Sequence, residues 1–171
     1  MDYLKYYDLE GYLFNDVNAA FNARGYLTPE EFFSIVIWKA ERAKTRIKKR
    51  LLGKGSDLAE VVKNVTEDIK AAPSDESRLR VLLETWGFLL PTATAILTVL
   101  YPERFTVYDV RAREQLAIKD FAGRKNEIKQ YFEEFLPKVV AITEAETLRD
   151  KDRYLWGKSS YESLREFLSE Q

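Results

Sequence analysis

Residues 86–109 decide the fold of this chain. They open with Trp86-Gly87-Phe88-Leu89-Leu90-Pro91-Thr92-Ala93, run apolar to Leu100-Tyr101-Pro102, and close on Phe105-Thr106-Val107-Tyr108-Asp109. Gly87 is the residue type that ends a helix in the left-handed conformation. Pro91 suits the first turn of the next helix, where a missing N–H leaves nothing unpaired. The run from Pro91 to Leu100 is nearly all apolar, which predicts a buried helix, and Tyr101-Pro102 closes it. Phe105 to Tyr108 reads as extended. Asp109 then stands at an N-cap position, ahead of a helix over about Val110–Lys119. The stretch is helix, hairpin-like turn, helix, extended connection, helix.

Helical signals continue on the N-terminal side. Tyr12, Leu13, Val17, Ala20 and Phe21 recur at helical spacing and stop before Gly25. Thr28-Pro29-Glu30-Glu31 has the pattern of a capping box with proline at the first helical position. The helix it opens is expected to run to about Leu52, with Gly53 and Gly55 ending it and Phe32, Val36, Ala40, Ala43, Ile47 and Leu51 as its buried stripe. Ser56 is read as the cap of a helix carrying Leu58, Val61, Val62, Val65 and Ile69. Ser74 caps the next, with Asp75 and Glu76 in its first turn and Leu79, Leu82, Leu83 and Trp86 inward.

Towards the C-terminus, helices are expected near Lys125–Leu136, Thr147–Trp156 and Ser160–Leu168. No segment alternates at period two for more than four residues, so no sheet is expected. The fold class is all-α: a compact multi-helix unit over 1–171, as one domain or as two lobes sharing a core.

Composition narrows the chemistry. The 171 residues include no cysteine and no histidine. That removes disulfides, thiol catalysis, Cys/His zinc sites, iron–sulfur clusters and histidine-based triads. No metal-ligand spacing, phosphate loop or dinucleotide fingerprint is present, and no cofactor is implied. Lys and Arg number 27 against 28 Asp and Glu, so no overall field draws in a polyanion. Local charge differs: Lys39 to Lys54 holds eight basic residues and one acid, Glu41. Lys39, Arg42 and Arg46 lie three or four residues apart beside the apolar stripe, as a solvated face or a phosphate-binding one. Met1-Asp2-Tyr3-Leu4-Lys5 lacks a basic-then-apolar leader and no apolar run reaches membrane length, so a cytoplasmic protein without membrane contact is expected.

The segment from Trp86 to Asp109 resembles the helix-hairpin-helix DNA glycosylases. Gly87 matches the first hairpin glycine of that superfamily and Ala93 its small residue early in the second helix. Asp109 stands at the spacing of its essential aspartate, within Thr106-Val107-Tyr108-Asp109-Val110-Arg111. The chain also resembles a set of uncharacterised prokaryotic proteins with a similar hairpin, an Asp109–Ala112-like step and a stretch like Leu148-Arg149-Asp150-Lys151-Asp152-Arg153-Tyr154-Leu155-Trp156. The resemblance implies DNA as partner, Asp109 as the catalytic carboxylate, and Gly87, Phe88, Leu89, Leu90 and Thr92 at the phosphate backbone. Arg111, Lys39, Arg42 and Arg46 extend that contact, and Trp86 and Tyr108 are candidate walls of a base pocket.

The chain departs from the pattern in three places. Leu89 replaces the second hairpin glycine, so the turn is strained or differently shaped. Pro91 stands where bifunctional members carry a Schiff-base lysine, so excision, if present, is monofunctional. Arg111 replaces the family's histidine. Asp109 also fits a purely structural helix cap. Trp38 to Arg42 and Arg153 to Trp156 suit stacked packing better than a site, while Glu133-Glu134 and Asp150/Asp152 read as solvated helix faces. Three functions stay open: a hydrolytic base-excision enzyme, a catalytically inactive nucleic-acid-binding module, and a helical protein-interaction module.

Overall fold

A computed structural model describes residues 3–169, and the described residues contain helices and no strand. A single turn, Leu4–Tyr7, precedes nine helices, several built from contiguous pieces: α1 (9–24), α2 (Pro29–Ala40), α3 (41–52), α4 (Leu58–Ala71), α5 (75–85), α6 (Leu90–Leu100), α7 (Val110–Gln115), α8 (127–140) and α9 (Leu148–Ser169).

Helix α6 is the axis of the fold. Every residue from Ala93 to Leu100 is buried, as a helix apolar on all sides requires. Two of its three threonines, both buried, return their hydroxyl protons to the helix, Thr94 Oγ1 donating to the Leu90 carbonyl at 2.8 Å and Thr98 Oγ1 to that of Thr94 at 2.7 Å. The C-terminal carbonyls of α6 are met from outside, by Asn18 Nδ2 donating to Val99 at 2.7 Å. Helices α2, α1 and α5 pack around it. The buried apolar side chains form one continuous cluster, from Leu13 on α1 to Leu155 on α9.

The capping signals act as expected at Thr28, Ser74 and Asp109. Thr28 Oγ1 accepts from the Glu31 amide while Glu31 Oε2 accepts from that of Thr28. Four boundaries differ from expectation. Asp57, rather than Ser56, caps α4, accepting from the Ala59 amide at 2.8 Å. Helix α7 ends at Gln115, and Ala117 turns the chain with φ +52°. Helix α8 passes through Pro137 to Val140, because a wide π turn over Tyr131–Phe135 opens the ladder just ahead of the proline. Helix α9 crosses Gly157 unbroken, a glycine costing a helix interior only about 1 kcal/mol.

The most consequential difference lies between α2 and α3. Ala40 takes φ −162° and ψ 81°, which breaks the expected single helix and leaves Ala40 outside the buried stripe. No glycine or proline marks this break. It falls directly after Lys39, which faces the start of α7.

Candidate functional site

The approach to Asp109 is an extended run that has no strand to pair with. Its backbone groups are met by side chains instead. Tyr131, fully buried on α8, donates its hydroxyl proton to the Thr106 carbonyl at 2.8 Å and accepts from the Thr106 amide at 3.0 Å. Two residues on, the Tyr108 amide donates to Thr94 Oγ1 on α6 at 2.9 Å. Burial pushes the Tyr131 phenol far above its ordinary range, so it stays a neutral donor–acceptor. The segment is thereby pinned between α6 and α8, and Asp109 is delivered in one place.

Asp109 has two commitments and still opens outward. Its Oδ1 accepts from the Arg111 amide at 2.9 Å, capping α7, and its Oδ2 accepts from Lys39 Nζ. The pair forms the wall between two clefts. The smaller, about 250 Å³, is lined by Lys39, Asp109, Pro91, Tyr108, Arg113 and Asp120 among others. The larger, about 400 Å³, holds Lys39 and Asp109 together with Glu10, Trp38, Arg149, Asp152, Arg153 and Trp156. Pro91, at the start of α6, and Asp109, at the start of α7, therefore share a cleft.

The larger cleft is organised around Arg149. Its guanidinium donates to Glu10 Oε1 from Nη2 at 2.7 Å and from Nε at 3.1 Å, and Nη1 donates to Asp152 Oδ2. It lies 5.0 Å from the ring centroids of both Trp38 and Phe14. A planar cation held by two carboxylates and two rings has little freedom left. Arg153 Nε adds a bond to Glu10 at 2.8 Å. Burial raises the Glu10 carboxyl, but the Arg149 and Arg153 charges outweigh it and hold Glu10 below the usual carboxylate range.

Asp152 behaves oppositely. It is only 4 % exposed, and burial pushes its carboxyl up to about 6, with the negative charge of Asp109 adding to the rise. Arg149 and Lys39 pull the other way and do not fully compensate. The expectation of a solvated face is thus wrong for Asp152. Its place is legible in the sequence, since it lies four residues after Leu148 and three before Leu155, on the apolar side of α9. Asp150, by contrast, pairs outward with Arg153.

The hairpin-like turn needs only one left-handed residue. Gly87 has φ +69°, while Leu89 is extended at φ −81°, ψ 150°, so leucine is accommodated without strain and its side chain stands 55 % exposed. Phe88 and Leu90 are buried, and the Phe88 amide donates back to the Leu82 carbonyl. Thr92 is half-buried, its amide bonded to Leu89. Side chains at 88 and 90 therefore belong to the core, and Leu89 alone projects from the turn.

The basic residues separate into two groups. Arg42 and Arg46 are exposed on α3 and, among the described residues, pair with no acid. Arg50, which the sequence does not single out, comes to the hairpin: a Cβ at Gly87 would lie 3.7 Å from its Nη1. Lys39 and Arg111 face elsewhere. Lys39 holds Asp109, and Arg111 donates to Ser160 Oγ at 3.1 Å and lies 4.8 Å from the Trp156 ring centroid.

The aromatic candidates also separate. Trp86 is buried, donates Nε1 to Asp68 at 3.0 Å, and lines neither cleft. Tyr108 walls the smaller cleft, its hydroxyl donating to Asp120 at 2.9 Å while burial raises it to about 12. The aromatic walls of the larger cleft are Trp38 and Trp156. Their sequence signal, aromatics interleaved with cations at 38–42 and 153–156, suggests packing alone.

Among the described residues no helix is long and apolar enough to cross a membrane. No protein-family model, curated protein or solved structure matches this chain.

Proposed function

We propose that this chain engages DNA along the hairpin and α3 and releases a base hydrolytically from a nucleotide turned into the clefts beside Asp109. One observation carries the proposal: Asp109, at the start of α7, shares a cleft with Pro91 at the start of α6, with Lys39 fixing its carboxylate from α2. A carboxylate so held suits the stabilisation of an oxocarbenium-like sugar as the base departs, or the orientation of the attacking water. The larger cleft, with Trp38 and Trp156 at its walls, has the volume for an extruded base, whose unstacking costs about a few kcal/mol. Exposed Arg42 and Arg46, with Arg50 beside Gly87, supply cations for the phosphates. Proline in place of the family's lysine fits excision without strand cleavage.

Base release is to be measured on a panel of damaged-base duplexes, with wild type and Asp109→Asn in parallel. A loss of at least about 100-fold on Asp109→Asn is expected. Equal release by both proteins removes Asp109 from the chemistry.

A second function, binding without catalysis, is favoured by the occupation of both Asp109 oxygens. It predicts no release from any duplex but binding that weakens linearly in log–log with salt. Removing Arg42 or Arg46 should flatten that slope by about 1 for each phosphate that is no longer neutralised. No binding at low salt defeats both functions.

A further inference from the structure

Asp152 is the one carboxyl of the larger cleft that is almost fully buried, and base excision as proposed above leaves it without a task. The charged groups that line the cleft with it come from four elements. Arg149 and Arg153 lie on its own helix α9, Lys39 on α2, Glu10 on α1, and Asp109 at the start of α7. Arg149 donates to Oδ2. Among the described residues no donor reaches Oδ1, which leaves that oxygen for the cleft. Arg149 is itself shared with Glu10, and Lys39 is engaged with Asp109, so neither cation belongs to Asp152 alone.

The two aspartates are unlike in their surroundings. Asp109 uses both oxygens as acceptors, from an ammonium and from a backbone amide, and is the more exposed of the two. Asp152 is enclosed, keeps one oxygen without a donor, and sees the Asp109 charge. Two carboxyls whose environments pull them apart divide naturally into a proton donor and an acceptor.

We infer that Asp152 is the proton donor of the site, protonating the departing base from the larger cleft while Asp109 faces the sugar. The step balances as a hydrolysis. The C1′–N bond breaks with its electron pair going to the base nitrogen, which takes the Asp152 proton. Water adds its oxygen to C1′ and yields a proton to Asp109, and exchange with solvent returns both carboxyls to their starting states. The inference rests on base excision as the chemistry, and it adds a second catalytic residue and a pH dependence.

The test is single-turnover base release between pH 5 and 8 for wild type, Asp152→Asn and Asp152→Glu, with the 13C resonance of the Asp152 carboxyl titrated in the wild-type protein. Wild-type release should fall about tenfold per unit of pH above the midpoint at which that carboxyl titrates. Asp152→Asn should be slower by about 100-fold or more at pH 5.5 and lose the limb. Asp152→Glu, which keeps the proton but moves it by one methylene, should be slower yet retain the limb. An unchanged rate and profile in Asp152→Asn overturns the role of Asp152 while leaving base excision and Asp109 standing. A wild-type limb more than one pH unit from the Asp152 midpoint overturns it without recourse to any variant. Wild type inactive on every duplex overturns base excision, and the Asp152 role with it.

Discussion

Removing one hydroxyl, in Tyr131→Phe, tests how Asp109 is held. The Tyr131 hydroxyl satisfies the amide and the carbonyl of a single residue, Thr106, which is 1 % exposed. The ring remains packed against Phe105 and Phe135, so the cavity left by one oxygen is small. The loss is therefore mainly that of two bonds, with two backbone groups left buried and unpaired. Each such group costs about 1–3 kcal/mol, partly offset because phenylalanine has no hydroxyl to dehydrate. About 3 kcal/mol follows, or roughly 6–12 °C in Tm for a chain of this size. Urea unfolding followed by circular dichroism measures it, with an unchanged m-value as the sign that the unfolded state is unaltered. Hydrogen exchange at the Thr106 amide should accelerate more than at the Leu97 amide in the middle of α6. A loss below about 0.5 kcal/mol, or unchanged protection at Thr106, would show that the extended run is held by something other than this hydroxyl.

Three further outcomes are expected. Thr106→Val should be neutral or stabilising by about 1 kcal/mol in the same urea assay, because the buried Thr106 Oγ1 has no hydrogen-bond partner and valine keeps its shape. Gly87→Ala should cost about 1 kcal/mol from its φ of +69°, with little steric addition since Arg50 Nη1 would be at ordinary contact distance. Asp152 predicts a pH trend: its folded value, about 6, exceeds the unfolded one, so the native state binds the extra proton and stability falls as pH rises from about 4 to 6. Relative to wild type, Asp152→Asn should gain up to about 3 kcal/mol across that window and show no further trend above it; a difference independent of pH would remove the buried carboxyl as its source.

Helix punctuation carries most of the fold in plain sight. Thr28-Pro29, Ser74, Gly87, Pro91 and Asp109 act locally, through caps and left-handed turns that depend only on neighbouring residues, and each does in the structure what its type predicts. The misses have separate causes. The break at Ala40 carries no glycine or proline and follows Lys39, whose partner Asp109 lies 70 residues on. The passage through Pro137 rests on a π turn that no residue type announces, whereas the enclosure of Asp152 follows from its spacing to Leu148 and Leu155. The site divides in the same way. Asp109 and Lys39 are each conspicuous in the sequence on separate grounds, yet their pairing across 70 residues is not legible there. Glu10 and Arg149 are separated by 139 residues, and nothing in either neighbourhood announces the other. Trp38 and Trp156 read as packing, because a ring stacked on a cation looks the same in sequence whether or not a cleft opens beside it.

The double engagement of Asp109 ties occupancy of the clefts to the integrity of α7. A ligand that draws on Oδ2 competes with Lys39, and one that turns the carboxylate away from Oδ1 uncaps the first turn of the helix. Because that carboxylate stands in both clefts, a guest in one alters the electrostatic surroundings met by a guest in the other. The packing of α7 against α9, with Gln115 Nε2 donating to Glu162 at 2.6 Å, extends the disturbance to the long C-terminal helix. The carboxylate of Asp109 is thus a junction at which the cap of α7 and, through Lys39, helix α2 share one acceptor group, and a ligand drawn to it would compete with both.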